Sequence, residues 1–268
     1  MNEIQLISAL LGLVVGLILA LTGAGGSILA IPLLILGLDL NLTQAAPIAL
    51  LAVMSAASVG AAQGLSNGIV RYKTAILIAS FGMAIAPLGV WLAKRSPILV
   101  LNLIFAAVLA FVAWRMWLQS TQILQGSEDK PAPACVINPA TSKLFWTALC
   151  TKRLVITGGA AGFLSGLLGV GGGFVIVPSL RKASNFDIQT IIATSLAVIA
   201  LVSASSVATY FLHGDINWKI AVPFVTSAII GMFAFRLISH KISAKISQRS
   251  FALLSIVAAV IMVVKSIN

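Results

Sequence analysis

Eight stretches of the chain run without a charged side chain: residues 4–21, 45–66, 74–93, 97–114, 154–180, 188–212, 220–235 and 250–264. Most approach or exceed the ~18 residues that a helix needs to cross a hydrocarbon core. They predict membrane-spanning helices, and the short polar joints between them predict turns at the two surfaces. Two places break the uniformity. TGAGGSILAIPLL follows the first run at 22–34, and GLLGVGGGFVIVP lies inside the fifth at 166–178. Glycine and proline are the residues least suited to a helix interior, so both places predict an interrupted helix.

The two interruptions are copies of one another. An offset of 146 positions lays GLILALTGAGGSILAIPLL (16–34) on GFLSGLLGVGGGFVIVPSL (162–180), with seven of the nineteen columns identical. The identities include Gly23/Gly169, Gly25/Gly171, Gly26/Gly172 and Pro32/Pro178. Without a gap, the same offset sets GIVRYKTA (68–75) on GDINWKIA (214–221) and Phe105-Ala106 on Phe251-Ala252. A register held this far marks a duplicated unit. The predicted organisation is a first transmembrane repeat over residues 1–118, a polar cytoplasmic linker over 119–152 and a second transmembrane repeat over 153–268.

Each copy has a Gly-rich broken first segment followed by three plain spans. If the broken segment crosses the membrane, the halves share an orientation and the 17 Lys and Arg residues divide nine to eight. If it enters and returns as a hairpin, the halves are inverted and the division is thirteen to four, with only Lys94, Arg95, Lys219 and Lys265 on the poorer side. Cytoplasmic loops collect Lys and Arg, which favours the hairpin. Residues 28–38 would make about 16 Å of helix at ~1.5 Å per residue, roughly half of a ~30 Å core. The predicted fold is all-α: a polytopic transmembrane helical bundle of two inverted repeats, linker in the cytoplasm and both termini outside. Tyr72, Trp91, Trp114, Trp117 and Trp218 fall at span ends, where interface anchors belong.

Small residues at four-residue spacing let helices touch in lipid, and Gly12/Gly16 and Gly162/Gly166 fit that role. Three consecutive small residues point in different directions and do not. Gly25-Gly26-Ser27 and Gly171-Gly172-Gly173 therefore predict backbone that has left the helix, which at membrane depth must be buried in protein or line a cavity. A helix restarting from such a loop presents free N–H groups and the positive end of its dipole, a site for an anion. Broken helices meeting at a repeat interface are where transporters hold substrate. Thr194 and Ser195 are the side chains expected to complete the site. Ser55, Ser58, Ser203, Ser205, Ser206 and Thr209 could also contribute, though each taken singly is expected to bond its own helix backbone.

Composition narrows the function. The 268 residues are 60% hydrophobic and 9% charged, against roughly 25% charged in soluble domains. The N-terminal MNEIQLIS has no basic residue, unlike a cleaved signal peptide, so residues 1–21 are expected to stay. The net charge of +11 comes without any basic run interleaved with aromatics, which sets nucleic acid aside. All six acids sit at segment ends or in the linker, so no span carries a carboxylate for proton relay. His213 and His240 fall at span ends. No Walker A sequence, metal-ligand cluster, cofactor motif or Ser/His pair lies in the spans. Cys135 and Cys150 have no metal-ligand spacing and are expected to be free thiols.

At TGAGGSILAIPLL and GLLGVGGGFVIVPSL the chain resembles the TauE/SafE family of membrane permeases, the sulfite exporter family. The signature is a Gly-rich turn followed some five residues later by Pro, once per half, and the resemblance covers nearly the whole chain. It implies export of sulfite, an organosulfonate or another small sulfur-containing or carboxylate anion. It also implies that Gly25, Gly26, Ser27, Gly171, Gly172 and Gly173 form the substrate region. Ser27 stands where the second copy has Gly173, so the loops need not contribute equally. The function expected is a secondary transporter of a small anion in a bacterial cell membrane, without cofactor or metal. Its partners are that anion and the lipid bilayer, with homo-oligomer formation left open. An anion channel of the same fold and a non-transporting partner subunit are the alternatives.

Overall fold

The computed structural model describes residues 3–22, 26–122, 135, 147–212, 216–236, 253, 255–260 and 262. Gly25, His213, His240 and most of the expected linker lie outside them. The described residues are helical, with no strand among them: α1 (Glu3–Thr22), α2 (Gly26–Leu38), α3 (Leu42–Ser66), α4 (Tyr72–Arg95), α5 (Ile98–Gln122), α6 (Ala148–Leu168), α7 (Gly173–Ala183), α8 (Ile188–Phe211) and α9 (Trp218–Arg236). Four are long and apolar enough to cross a membrane, over Glu3–Ala20, Leu42–Ser66, Tyr72–Arg95 and Ile188–Phe211. Local signals set the starts. The Asp187 carboxylate accepts the Gln189 N–H at 3.1 Å before α8, and Thr147 Oγ1 accepts the Cys150 N–H at 3.1 Å before α6.

The second sequence break is a break in the structure at 169–172, whereas Gly26, Ser27 and Gly173, expected to have left the helix, lie in the first turns of α2 and α7. α2 begins at Gly26, two residues before the expected Ile28, and α7 runs past the expected Leu180 to Ala183. Pro32 and Pro178 consequently sit inside their helices, where each removes one N–H from the ladder. α2 doubles back along α1: its first residue Gly26 lies on the backbone of Leu19, and Gly37 near its end meets the side chain of Leu11.

Glycines set the closest helix packing. On α1, Gly12 and Gly16 lie against the carbonyls of Phe224 and Ala228 of α9; on α6, Gly158 and Gly162 lie against those of Ile78 and Gly82 of α4. Every one of these partners is displaced by the same 146 positions as the glycines. In both seams the two chains run parallel. α4 also runs parallel to α8, since Arg71 N–H reaches Thr194 Oγ1 and Ser205 Oγ reaches the Met83 carbonyl. α3 and α8 run antiparallel, with Gly64 against Ala193 and Val53 level with Ile199 and Ser203.

These directions give the bundle two ends. Arg71, Lys73, Lys152, Arg153, Arg181 and Lys182 gather at one, where α4, α6 and α8 start and α7 finishes. Lys94, Arg95 and Lys219 belong to the other, together with Glu3 and Asp39. Bulky apolar side chains such as Ile76, Leu88, Ile156 and Ile230 are exposed on the outside, as lipid-facing positions require.

The two cysteines are not free thiols. Cys135 and Cys150 form a disulfide, and the Cys135 N–H donates to the Ala183 carbonyl at 2.7 Å. Spacing along the chain gave no sign of the pairing, because it depends on residue 135 docking beside the end of α7.

Candidate functional site

The loop between α6 and α7 is built on left-handed backbone. Gly169, Gly171 and Gly172 have φ of +73°, +70° and +71°, a region that costs an L-residue roughly 1–2 kcal/mol. Gly169 closes α6, its N–H bonded to the Ser165 carbonyl at 2.8 Å. Gly172 caps α7 without any side-chain bond. Among the described residues, the N–H groups of Gly171 and Gly172 make no hydrogen bond. They stand at the positive end of an eleven-residue helix.

The tip of this loop enters the α3–α8 contact near the middle of both helices. A Cβ on Gly171 would lie 2.9 Å from Val53 Cγ1, 3.0 Å from Ser203 Oγ and 3.3 Å from Ile199 Cγ2. Only a glycine brings its backbone so close. Ser203 is fully buried, and its hydroxyl has no partner. One of the hydroxyls expected to bond its own helix is thus the one that faces the broken loop. Ser206, Ser58 and Thr209 behave as expected, each donating to its own helix, while Ser205 crosses to the Met83 carbonyl of α4 at 2.9 Å.

The predicted side chains divide. Ser195 is fully buried with an unpartnered hydroxyl, two helical turns before Ser203 on the same face of α8. Thr194 is buried but occupied, accepting the Arg71 N–H at 3.1 Å, so it joins α8 to the start of α4. Gly173 opens α7 and is buried. In the first copy, Gly26 and Ser27 open α2; Gly26 is buried and Ser27 fully so. The copies meet at Gly169, whose added Cβ would lie 3.0 Å from Ile31 Cδ1 of α2 and 2.5 Å from Ala46 Cβ of α3. Ser203 is the residue that sequence reasoning ranked below Thr194 and Ser195. Its signal was the spacing Ser195, Ile199, Ser203, which puts two hydroxyls on one helical face.

Residues 8–262 match the family described as Sulfite exporter TauE/SafE. The chain belongs to this family. A probable membrane transporter protein of Xylella fastidiosa (strain Temecula1) is 30% identical over 268 residues, covering 95% of this chain and 93% of the relative. Its counterpart in strain 9a5c is 29% identical over 265 residues, with the same coverage. Probable membrane transporter protein YunE of Bacillus subtilis (strain 168) is 33% identical over 84 residues, 31% of either chain. Family and relatives support a membrane transporter, in keeping with the apolar helices.

For a TauE/SafE protein, the geometry defines what the centre can do chemically. It offers hydrogen-bond donors that carry no net charge, the amides of the α6–α7 loop and the Ser203 hydroxyl beside them, with Ser195 about 12 Å further along α8 at ~1.5 Å per residue. No charged residue lies in the described middle portions of α3, α7 or α8.

Proposed function

We propose that the chain is a secondary transporter that exports a small anion, sulfite or an organosulfonate, across a bacterial cell membrane. The observation that carries the proposal is the unpartnered, fully buried Ser203 hydroxyl beside left-handed Gly171. A buried polar group without a partner loses about 1–3 kcal/mol, and a bound oxyanion would restore that bond. The substrate region is Gly25, Gly26 and Ser27 of the first copy with Gly171, Gly172, Gly173, Ser195 and Ser203 of the second, Thr194 acting as a brace.

The architecture proposed is two inverted repeats, 1–118 and 153–268, with re-entrant first segments and a cytoplasmic linker at 119–152. It is supported by the antiparallel course of the equivalent helices α3 and α8 and by α2 doubling back on α1. The basic end is then the cytoplasmic one. The test is thermal unfolding of purified protein with sulfite, sulfate, thiosulfate, sulfoacetate and simple carboxylates. A ligand that binds the native state raises its apparent stability by about 2.7 kcal/mol at a hundred times Kd. Protection by sulfite or sulfoacetate, and saturable flux of the same anion in proteoliposomes, is expected; a flat panel would refute the anion reading. Saturation with counterflow separates a carrier from a channel.

A further inference from the structure

The disulfide sits where the charge pattern says it should not. Cys150 is in the first turn of α6, and Cys135 is bonded through its N–H to Ala183, the last residue of α7. Both cysteines are buried, with Leu154, Leu180, Phe186 and Ile191 in the same cluster. Around them gather Arg71, Lys73, Lys152, Arg153, Arg181 and Lys182, the bases of the end that the positive-inside rule places in the cytosol. Disulfides in that compartment are rare, and those that form are transient or redox-sensing.

We infer that Cys135 and Cys150 are a reversible thiol–disulfide modification site, a latch on the hairpin that carries the substrate loop. The inference rests on the orientation proposed above. In the oxidised state Cys135 ties the outer ends of α6 and α7 together, and these two helices hold the loop at 169–172 between them. In the reduced state the covalent tie to α6 is gone, and residue 135 keeps its backbone bridge beside Ala183 and Ser184 at the end of α7 without being bonded to α6. α7 can then swing about its left-handed glycines, the motion that opening a central site needs. Closing the latch transfers two electrons and two protons from the two thiols to a small-molecule disulfide, which leaves as two thiols. Exchange with the cytosolic thiol pool reverses it.

The full-length protein is tested in cells and in inside-out vesicles. Acid quenching, followed by alkylation under denaturing conditions, reads the state of the pair whatever its burial. Free thiols are expected in unstressed cells, and a disulfide after treatment with diamide. Sulfoacetate flux in vesicles, chosen because sulfite itself cleaves disulfides, should fall roughly fivefold or more on oxidation, the low end of ordinary coupling between sites, and recover with dithiothreitol. The Cys135→Ser/Cys150→Ser variant should ignore diamide. A pair that stays oxidised in unstressed cells, or wild-type flux indifferent to its state, would overturn the latch. Orientation is read separately by an impermeant maleimide on Leu149→Cys in the serine background, Leu149 being exposed. Labelling of intact cells would overturn the orientation and the latch with it; labelling only after lysis, with unresponsive flux, would overturn the latch alone.

Discussion

A serine that keeps its hydroxyl buried and unpaired trades stability for something else. Ser203 should therefore respond oppositely in two measurements. Ser203→Ala removes the orphan oxygen, so the thermal midpoint should hold or rise, by up to ~1–3 kcal/mol of stability. Anion affinity should fall about tenfold, roughly 1.4 kcal/mol. Loss of both stability and affinity would make Ser203 an ordinary packing residue. Glycine gives a matched pair. Gly171→Ala combines left-handed strain of about 1–2 kcal/mol with a Cβ 2.9 Å from Val53 and 3.0 Å from Ser203, and should abolish flux. Gly68→Ala has φ +67° but nothing within 4 Å; it should destabilise to the same degree through strain and leave flux intact. The glycine loop was legible because only glycine tolerates three such φ values in so short a span. Ser203 was not, because a serine in a helix ordinarily bonds its own backbone, and only the approach of Gly171 distinguishes it.

Helix packing shows how far a duplicated pattern carries. The four-residue glycine spacing on α1 and α6 was legible as a contact face, and the seams confirm it. What the spacing could not name was the partner, since α1 closes on α9 and α6 on α4, each across the two halves. Local periodicity fixes which face is small but not which distant segment meets it. The equivalence makes a test. A Cβ on Gly16 would strike the Ala228 carbonyl, and one on Gly162 the Gly82 carbonyl. Backbone cannot move aside by changing rotamer, so Gly16→Ala and Gly162→Ala should each lower stability by ~1–3 kcal/mol in detergent. Their effects should add to within ~0.5 kcal/mol, as for separate contacts. A large cost at one site and none at the other would mean that the seams are not counterparts. The disulfide was missed for a related reason: its pairing is set by where residue 135 docks, and no neighbour in the chain records that.

At the scale of the whole molecule, the net charge of the moving complex sets the energetics of the export proposed above. Acids at the described helix ends, Glu3, Asp39 and Asp187, leave the described spans without a carboxylate to carry protons. The proposed site binds through uncharged donors, so the moving complex carries the charge of the anion alone. A monoanion leaving a negative-inside cell moves downhill by about 2.3 kcal/mol per 100 mV, equivalent to about fiftyfold in concentration. Export through this protein should then need no coupled ion, whereas uptake against the same potential would. In proteoliposomes loaded with sulfoacetate, a potassium gradient with valinomycin imposes the potential. Efflux should accelerate with an inside-negative potential and slow when its sign is reversed, with no dependence on a sodium or proton gradient. Flux of the charged substrate that ignores the potential would require a co-moving cation, and the described spans offer no carboxylate to bind one.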